Sequence, residues 1–446
     1  MAPLVSVVIP VFNGSDHLDR CLAFLSLSQE APLECIVVDD GSTDDSAKIA
    51  QRYGAKVLST GGRQGPARAR NIGAAAAEGS ILVFLDSDVT IYPDTLAKLI
   101  GEFAADPHLD AVMGSYDDEP SAENFISQYR NLMHCFVHQH SNRQATTFWA
   151  GCGAIRREVF VSFGGFDEKY RAAAIEDIEL GYRMAAAGRK LVLRPDIQVK
   201  HLKRWSLRSM IKSDFLHRAL PWSELAIRSG RMPNDLNLRV SQRISVSLVF
   251  LLSILAGCLV WGRGAYFLLP LMVTFFILLS YYWLECSRRD HVLITALMTT
   301  LGAIGLLAFR HHVGVVFLLV LLSWFAVFAR RRYAKPLSVW SRRTGVLVGG
   351  YCWSVVVFAW VYLPSNRLGV AFLIGMLVVV ALNQRFYLFL AGHRGRLFAL
   401  AAIPFHLLYF ISSGLAFMLT LIRYRLGHFE SPVVLTTGGS SNPGVS

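Results

Sequence analysis

The feature that most constrains this chain of 446 residues is the point at which its acids run out. After Arg243 the only acidic residues are Glu285, Asp290 and Glu430, three of the 32 in the sequence. The same stretch keeps 16 of the 44 lysines and arginines. It is otherwise filled by long apolar runs: Ile244–Trp261, Ala265–Leu284, Val292–Phe309, Val313–Ala329, Gly345–Leu363, Leu368–Leu382 and Leu397–Ile422. Most approach the roughly 20 residues that a helix needs to cross a bilayer. Leu368–Leu382 is short and continues into Asn383-Gln384-Arg385, so it reads as a span or as a segment ending at the interface. Up to Arg243 the chain is nearly neutral, with 28 basic against 29 acidic residues. The net charge of +12 therefore belongs to the apolar half, where a basic excess points to membrane loops and calls for no nucleic acid. Only 17% of residues are charged, against about 25% in soluble domains. One uniform soluble fold is excluded. So is disorder, outside the Gly/Ser/Thr tail after Leu435.

The first 200 residues follow a different pattern. Short β-branched runs, Val5–Ile9, Cys35–Val38, Lys56–Leu58 and Ile81–Leu85, alternate with helical stretches at Asp16–Leu27, Thr43–Tyr53 and Pro66–Ala77. Near-continuous apolar strands suit a parallel sheet covered on both faces. The expected fold class is α/β, a doubly wound mostly parallel sheet, followed by an α-helical transmembrane domain. Pro66 suits a first helical turn, and Gly79 suits the C-terminal cap of that helix. The seven cysteines show no CxxC pair and read as buried thiols in a reducing compartment. The N-terminus, MAPLVSVVIPVF, reads as a strand without a signal-peptide charge pattern, which predicts a cytosolic first domain.

With that domain inside, the inner loops 285–290, 330–343 and 383–396 hold eleven basic residues and the outer ones five. The positive-inside rule favours this orientation with six or seven spans, though a seventh would place Arg423 and Arg425 outside. Between the halves, Leu202–Leu220 repeats Arg204, Arg208 and Lys212 on one face and Leu207, Ile211 and Phe215 on another. It reads as a basic amphipathic helix on an anionic membrane surface, or as a surface helix packed on the domain. The expected organisation is a catalytic domain over 1–205, an interfacial helix and linker over 206–243, a transmembrane domain over 244–425 and a flexible tail over 426–446.

Chemistry concentrates where strands end, the place at which open parallel sheets bind ligands. Asp39 and Asp40 follow the second strand and lead into Gly41-Ser42-Thr43, where they serve as turn residues or accept hydrogen bonds from a nucleoside. Asp86-Ser87-Asp88 follows Ile81–Leu85; carboxylates one residue apart can divide the work on a diphosphate and its divalent metal. Glu176-Asp177, with Glu179, opens the helix Ile178–Ala187 and offers a general base for an acceptor hydroxyl. His201, after the strand-like Lys190–Leu193, is a structural histidine or a third metal ligand.

The order of these segments resembles that of family-2 glycosyltransferases. It runs Val5-Ser6-Val7-Val8-Ile9-Pro10-Val11-Phe12-Asn13, Val37-Val38-Asp39-Asp40-Gly41-Ser42-Thr43-Asp44, Ala69-Arg70-Asn71-Ile72-Gly73, Asp86-Ser87-Asp88, Gly164-Gly165-Phe166-Asp167-Glu168 and Glu176-Asp177. The resemblance covers about residues 4–205 and implies the nucleotide-sugar-binding A-type fold with inverting transfer. It implies that Pro10, Phe12, Arg70, Asp86 and Asp40 (or Asp39) meet the donor. Asp88 and His201 would hold Mg²⁺ or Mn²⁺, and Asp177 would be the catalytic base. Gly151, Glu176, Arg204 and Trp205 would lie on the acceptor side. Membrane-embedded processive synthases of the family carry Gln-x-x-Arg-Trp, whereas here the stretch reads His201-Leu202-Lys203-Arg204-Trp205. That departure argues for a single addition over polymerisation. Trp205 serves as a sugar grip or as an interfacial anchor.

The expectation is therefore a multi-pass enzyme of a bacterial plasma membrane with its catalytic domain in the cytosol. It would move one sugar from a nucleotide-diphosphate sugar to a lipid or lipid-linked acceptor, with no nucleic acid involved. A processive polysaccharide synthase, a transporter or channel with an inactive nucleotide-binding domain, and a nucleotidyltransferase are the rivals. Charge-poor spans, intact acids and Glu176-Asp177 respectively weigh against them.

Overall fold

The computed structural model describes residues 5–29, 34–261 and 367–427. The apolar runs at 265–284, 292–309, 313–329 and 345–363 lie outside the described residues, as do the loops 285–290 and 330–343. The first half forms β1 (Val5–Val11), α1 (Ser15–Leu25), β2 (Glu34–Asp39), α2 (Ser46–Arg52), β3 (Lys56–Ser59) and α3 (Pro66–Ala75). Then come β4 (Ile81–Leu85), β5 (Val89–Ile91), α4 (Thr95–Ala105), β6 (Ala111–Tyr116), α5 (Phe125–Gln139) and β7 (Cys152–Arg156). α6 (Arg157–Ser162), α7 (Glu176–Ala186) and β8 (Leu191–His201) complete the domain.

These strands make one mixed sheet in the order β3-β2-β1-β4-β7-β6-β8-β5. β1, β2, β3 and β4 run parallel, as does the β6/β8 pair, whereas β7 is antiparallel to both neighbours and β5 to β8. The expected parallel sheet is therefore confined largely to its first half. All seven residues of β1 and all five of β4 are buried, which explains their unbroken apolar runs. α3 packs closely on this centre: a Cβ on Gly73 would stand 2.4 Å from Val8 Cγ1. Pro66 does open α3, but the helix ends at Ala75 with Ala76 as its cap, and Gly79 instead donates its N–H to Ser6 Oγ (2.8 Å). Of the cysteines, Cys21, Cys135 and Cys152 are buried and Cys35 half-buried, all unpaired. Burial pushes the Cys135 and Cys152 thiols up to about 12.

The segment 202–220 differs from the expected single helix. Residues 202–206 form no regular element, and the chain then winds through α8 (Leu207–Lys212), a π-helical stretch Ser213–Ala219 and α9 (Leu220–Ser229). Arg204, Arg208 and Lys212 are exposed, as a basic face should be. The apolar face, however, is already covered by protein. Trp205, Leu207 and Met210 share a core with Phe125, Ile126 and Tyr129 of α5 and with Phe398 and Phe405 further along the chain. Trp205 is therefore a buried residue and not an interfacial anchor.

The remaining helices are α10 (Val240–Trp261), α11 (Arg367–Leu382), α12 (Gln384–Arg394) and α13 (Arg396–Arg425). The short run does stop at Leu382, where the axis bends by 67° into α12. Asn383 explains the break. Its buried side chain accepts from Gln242 Nε2 (3.0 Å) and donates to Ser245 Oγ (2.9 Å) and Val379 O (2.8 Å). α12 then docks on the α/β domain through His393 Nε2 and Asp118 Oδ2 (2.9 Å) and through Arg394 Nε donating to Gln128 Oε1 (2.6 Å). Segment 383–396 and the sheet thus lie on one side of any bilayer that α13 crosses. Among the described residues α13 is the one helix long and apolar enough to do so, with α11 and α12 together as a broken pair.

Candidate active site

The C-terminal ends of β1, β2 and β4 open into a cavity of about 590 Å³, well within the range of small-molecule sites. Pro10, Phe12, Asp40, Arg70, Asp86, Asp88, Glu176, Asp177, His201 and Trp205 all line it. Asp39, Gly151 and Arg204 do not. Asp39 accepts from Ser42 N (3.0 Å) within its own turn, and Gly151 O accepts from Asp86 N (3.3 Å).

The acids differ sharply in what they hold. Asp40 is buried, and its carboxylate accepts from Thr60 Oγ1 (2.9 Å), Gln64 N (2.7 Å) and Gly65 N (2.9 Å). It thereby fixes the 60–65 turn, which carries Arg63 over the half-exposed Phe12 ring at 4.4 Å. Gly65 sits at φ +99°, and a Cβ there would meet Arg171 O at 2.4 Å. Only glycine satisfies both conditions.

Arg70, 5% exposed, is not free either. It donates through Nη2 to Asp86 Oδ1 and through Nη1 to Glu176 Oε1, each at 2.7 Å. It joins the end of β4 to the first turn of α7. Glu176 spends its other oxygen on Ala174 N (3.0 Å).

Asp177 shares that first turn, where the helix dipole favours an acid. It accepts from Ala150 N (3.0 Å) and Ile178 N (2.8 Å). Burial, and then the neighbouring Glu176 carboxylate, push it up to about 6 against the opposing pull of Arg70. A carboxyl poised there exchanges protons readily near neutrality, which suits a general base.

Asp88 faces His201 because antiparallel pairing sets Val89 opposite His201, and Leu202 N donates to Asp88 O (2.8 Å). Burial alone would raise the Asp88 carboxyl, but His201 when protonated, with Lys203 and His17 behind it, would hold it well below the usual carboxylate range. The buried His201 ring stacks on Tyr116 at 4.4 Å, and its Nδ1 lies 2.8 Å from Asn131 Oδ1. The same oxygen accepts from Trp205 Nε1 (3.1 Å). An indole only donates, so Trp205 fixes which end of the amide is oxygen, and that oxygen requires Nδ1 of His201 to carry a proton. In neutral His201 the Nε2 lone pair then points toward Asp88 Oδ2, 3.6 Å away, too far for a hydrogen bond. Two electron-pair donors facing each other fit a cation, and a second hydrogen bond on the far ring nitrogen is the usual orienting device of metal-bound histidine. Among the described residues no third His, Cys, Asp or Glu joins them. Mg²⁺ and Mn²⁺ sites of this kind are completed by water and substrate phosphates.

Sequence reasoning missed Arg63, Tyr116 and Asn131. A signal for the last existed. Ser127, Asn131, His134 and His138 recur at helical spacing along α5; the two histidines line the cavity, while Asn131 and Ser127 hold His201 and Trp205 behind it. Burial keeps His134 well below its ordinary pKa and holds His138 down to about 3.

Residues 6–163 match the family described as "Glycosyl transferase family 2". The chain carries a family-2 glycosyltransferase domain. Over 220 residues it is 33% identical to the pre-mycofactocin glycosyltransferase of Mycobacterium tuberculosis, covering 46% of this chain and 44% of that protein. Over 305 residues it is 28% identical to N-acetylglucosaminyl-diphospho-decaprenol L-rhamnosyltransferase of the same organism, covering 56% of this chain and 99% of that one. A solved mannosyltransferase from Pyrobaculum calidifontis, in complex with GDP-Man and Mn²⁺, aligns over 75% of this chain and 89% of its own with 20% identity and a TM-score of 0.47. The chain thus spans less than half the length of the first of these relatives.

Proposed function

We propose that this chain transfers one glycosyl unit, with inversion, from a nucleotide-diphosphate sugar to a lipid or lipid-linked acceptor at a membrane surface. The observation that carries the reading is the single cavity containing both a divalent-cation donor pair, Asp88 and His201, and a carboxyl tuned to about 6, Asp177. The 28% identity to an enzyme named for a diphospho-decaprenol acceptor supports the lipid-linked substrate, and α13 supports the membrane.

The Phe12–Arg63 platform and the turn held by Asp40 would receive the nucleoside. Asp88 and His201 Nε2 would hold Mg²⁺ or Mn²⁺, which when bound neutralises the departing diphosphate. Arg70 cannot also grip phosphate while it bridges Asp86 and Glu176. Its part is to fix both acids and to hold Asp177 largely ionised at neutral pH. The Asp177 carboxylate takes the proton of the acceptor hydroxyl as oxygen attacks the anomeric carbon from the face opposite the leaving group. His201 in place of Gln, together with the buried Trp205, favours single addition. The Trp205 indole is only 5% exposed, with Nε1 on Asn131 and Lys203 Nζ 4.6 Å from its ring, which leaves little face to stack on a growing chain.

The test incubates membranes containing the chain with a panel of labelled nucleotide sugars, followed by lipid extraction and mass spectrometry. One mass increment per lipid supports the reading. A ladder of additions refutes single transfer, and label confined to the aqueous phase refutes the lipid acceptor.

A further inference from the structure

A second cavity, of about 410 Å³, lies beside the first between α9, α10 and α13. Arg218, Trp222 and Asn237 belong to the walls of both. One end is apolar, where Val246 and Phe250 of α10 and Phe417 of α13 line it. The two helices close up there, since a Cβ on Gly414 would stand 3.3 Å from the Phe250 ring.

The other end is cationic. Arg130, only 1% exposed, forms an ion pair with Asp214, yet its Nε and Nη1 have no hydrogen-bond partner among the described residues. Nε of Arg243 is in the same state. Arg218 donates through Nη1 to His134 Nε2 (3.1 Å), a ring that carries no negative charge to offset it. Among the described residues, Arg130 and Arg218 share the single carboxylate of Asp214, and Arg243 adds a third guanidinium group to the same cavity wall. Buried donors without acceptors are costly and rare, and each asks for an explanation. Asp214 and Arg218 are presented by the π-helical stretch Ser213–Ala219, a geometry that recurs at functional sites.

A charge-rich end bordering the catalytic cavity, with an apolar end between two long apolar helices, matches an amphiphile with an anionic head. We infer that this cavity binds a lipid phosphate, its phosphate ester against Arg130, Arg218 and Arg243 and its chain along α10 and α13. The inference rests on the lipid-acceptor reading above and states where that lipid sits. Inorganic phosphate would use only the cationic end. A two-chain phospholipid of the bulk membrane shares the phosphate ester but has more apolar chain than this cavity needs.

The test measures binding by native mass spectrometry, using the full chain in a neutral detergent without any donor. Dodecyl phosphate should bind at least about tenfold more tightly than inorganic phosphate or dodecanol. Arg243→Gln should weaken it by about tenfold or more, the expected loss of one charge-assisted hydrogen bond. Val246→Trp, which fills the apolar end, should weaken dodecyl phosphate and leave inorganic phosphate unchanged. A melting temperature equal to wild type for Arg243→Gln keeps the result interpretable if Val246→Trp folds poorly. Equal affinity in Arg243→Gln and wild type overturns the inference. So does tighter binding of phosphatidylglycerol than of dodecyl phosphate, which would mark a bulk-lipid contact. Because no sugar moves in this assay, the two readings fail separately. Labelled lipid from an unimpaired Arg243→Gln enzyme removes the cavity and keeps the lipid acceptor. Dodecyl phosphate bound at Arg243, with no lipid ever labelled, upholds the cavity and removes the acceptor.

Discussion

Replacing Arg70 with methionine tests the charge logic of the site most directly. Methionine keeps an apolar stem of similar length and removes the guanidinium, which also stands 5.7 Å over the Phe166 ring. That group makes two 2.7 Å contacts, to Asp86 and Glu176, and also lowers the pKa of Asp177. Its loss leaves three carboxyls beside one another without a cation. Breaking a buried pair by deleting one partner costs roughly 3–5 kcal/mol, because the surviving charge is stranded. For a domain of this size, 1 kcal/mol moves the melting midpoint by about 2–4 °C, so the full chain in detergent should melt about 6–20 °C lower at pH 7.5. Intrinsic fluorescence can follow it, since the chain has nine tryptophans.

The sign with pH is fixed by linkage. Without Arg70 the already raised folded-state pKa of Asp177 rises further, so its contribution to stability is intact at low pH and lost as pH rises through that value. The gap from wild type should therefore narrow steadily from pH 7.5 toward pH 5. A variant as stable as wild type at pH 7.5, or a gap that ignores pH, would refute the argument.

Two further outcomes follow from the same geometry. Asn131→Leu removes the acceptor that sets the His201 tautomer, and Mn²⁺ affinity, read from the free-ion electron paramagnetic resonance signal, should fall about 10–100-fold; an unchanged titration would leave His201 outside the metal site. With Asp177 near 6, wild-type transfer at saturating donor should fall about tenfold per unit below pH 6 as the base is protonated, and Asp177→Asn should be inactive throughout the range; turnover by that variant would remove Asp177 as the base.

The parts of the fold that were legible in the sequence are those buried on both faces. β1, β2 and β4 announce themselves because central strands need apolar residues at nearly every position. β8 was visible only in part, as Lys190–Leu193. Its eleven residues include Arg194, Pro195 and Asp196, which break the apolar run, and the pairing with β6 absorbs them through a register shift between Met113 and Ser115. The helix after β8 was legible as a basic face. The cover over its apolar face was not, because that cover comes from α5, well before it in the chain, and from residues nearly 200 positions further on.

The site divides along the same line. Strand ends and the opening of α7 placed Asp40, Asp86, Asp88 and Asp177 in one cleft, because turn chemistry is local. What each carboxylate is free to do depends on donors brought from elsewhere. Arg70 and Glu176 are 106 residues apart. Asp40 meets the N–H groups of Gln64 and Gly65 across a turn that no motif marks. In sequence these acids look equivalent; in the cleft they separate by occupancy. Asp40 is spent on building the wall, and Asp86 and Glu176 are spent on Arg70. Asp88, opposite a lone pair, and Asp177, held by only two backbone N–H groups, are left to act on a cation and on a proton. Those are the two tasks that the proposed sugar transfer from a diphosphate would set, and the two residues left for them line the same cavity.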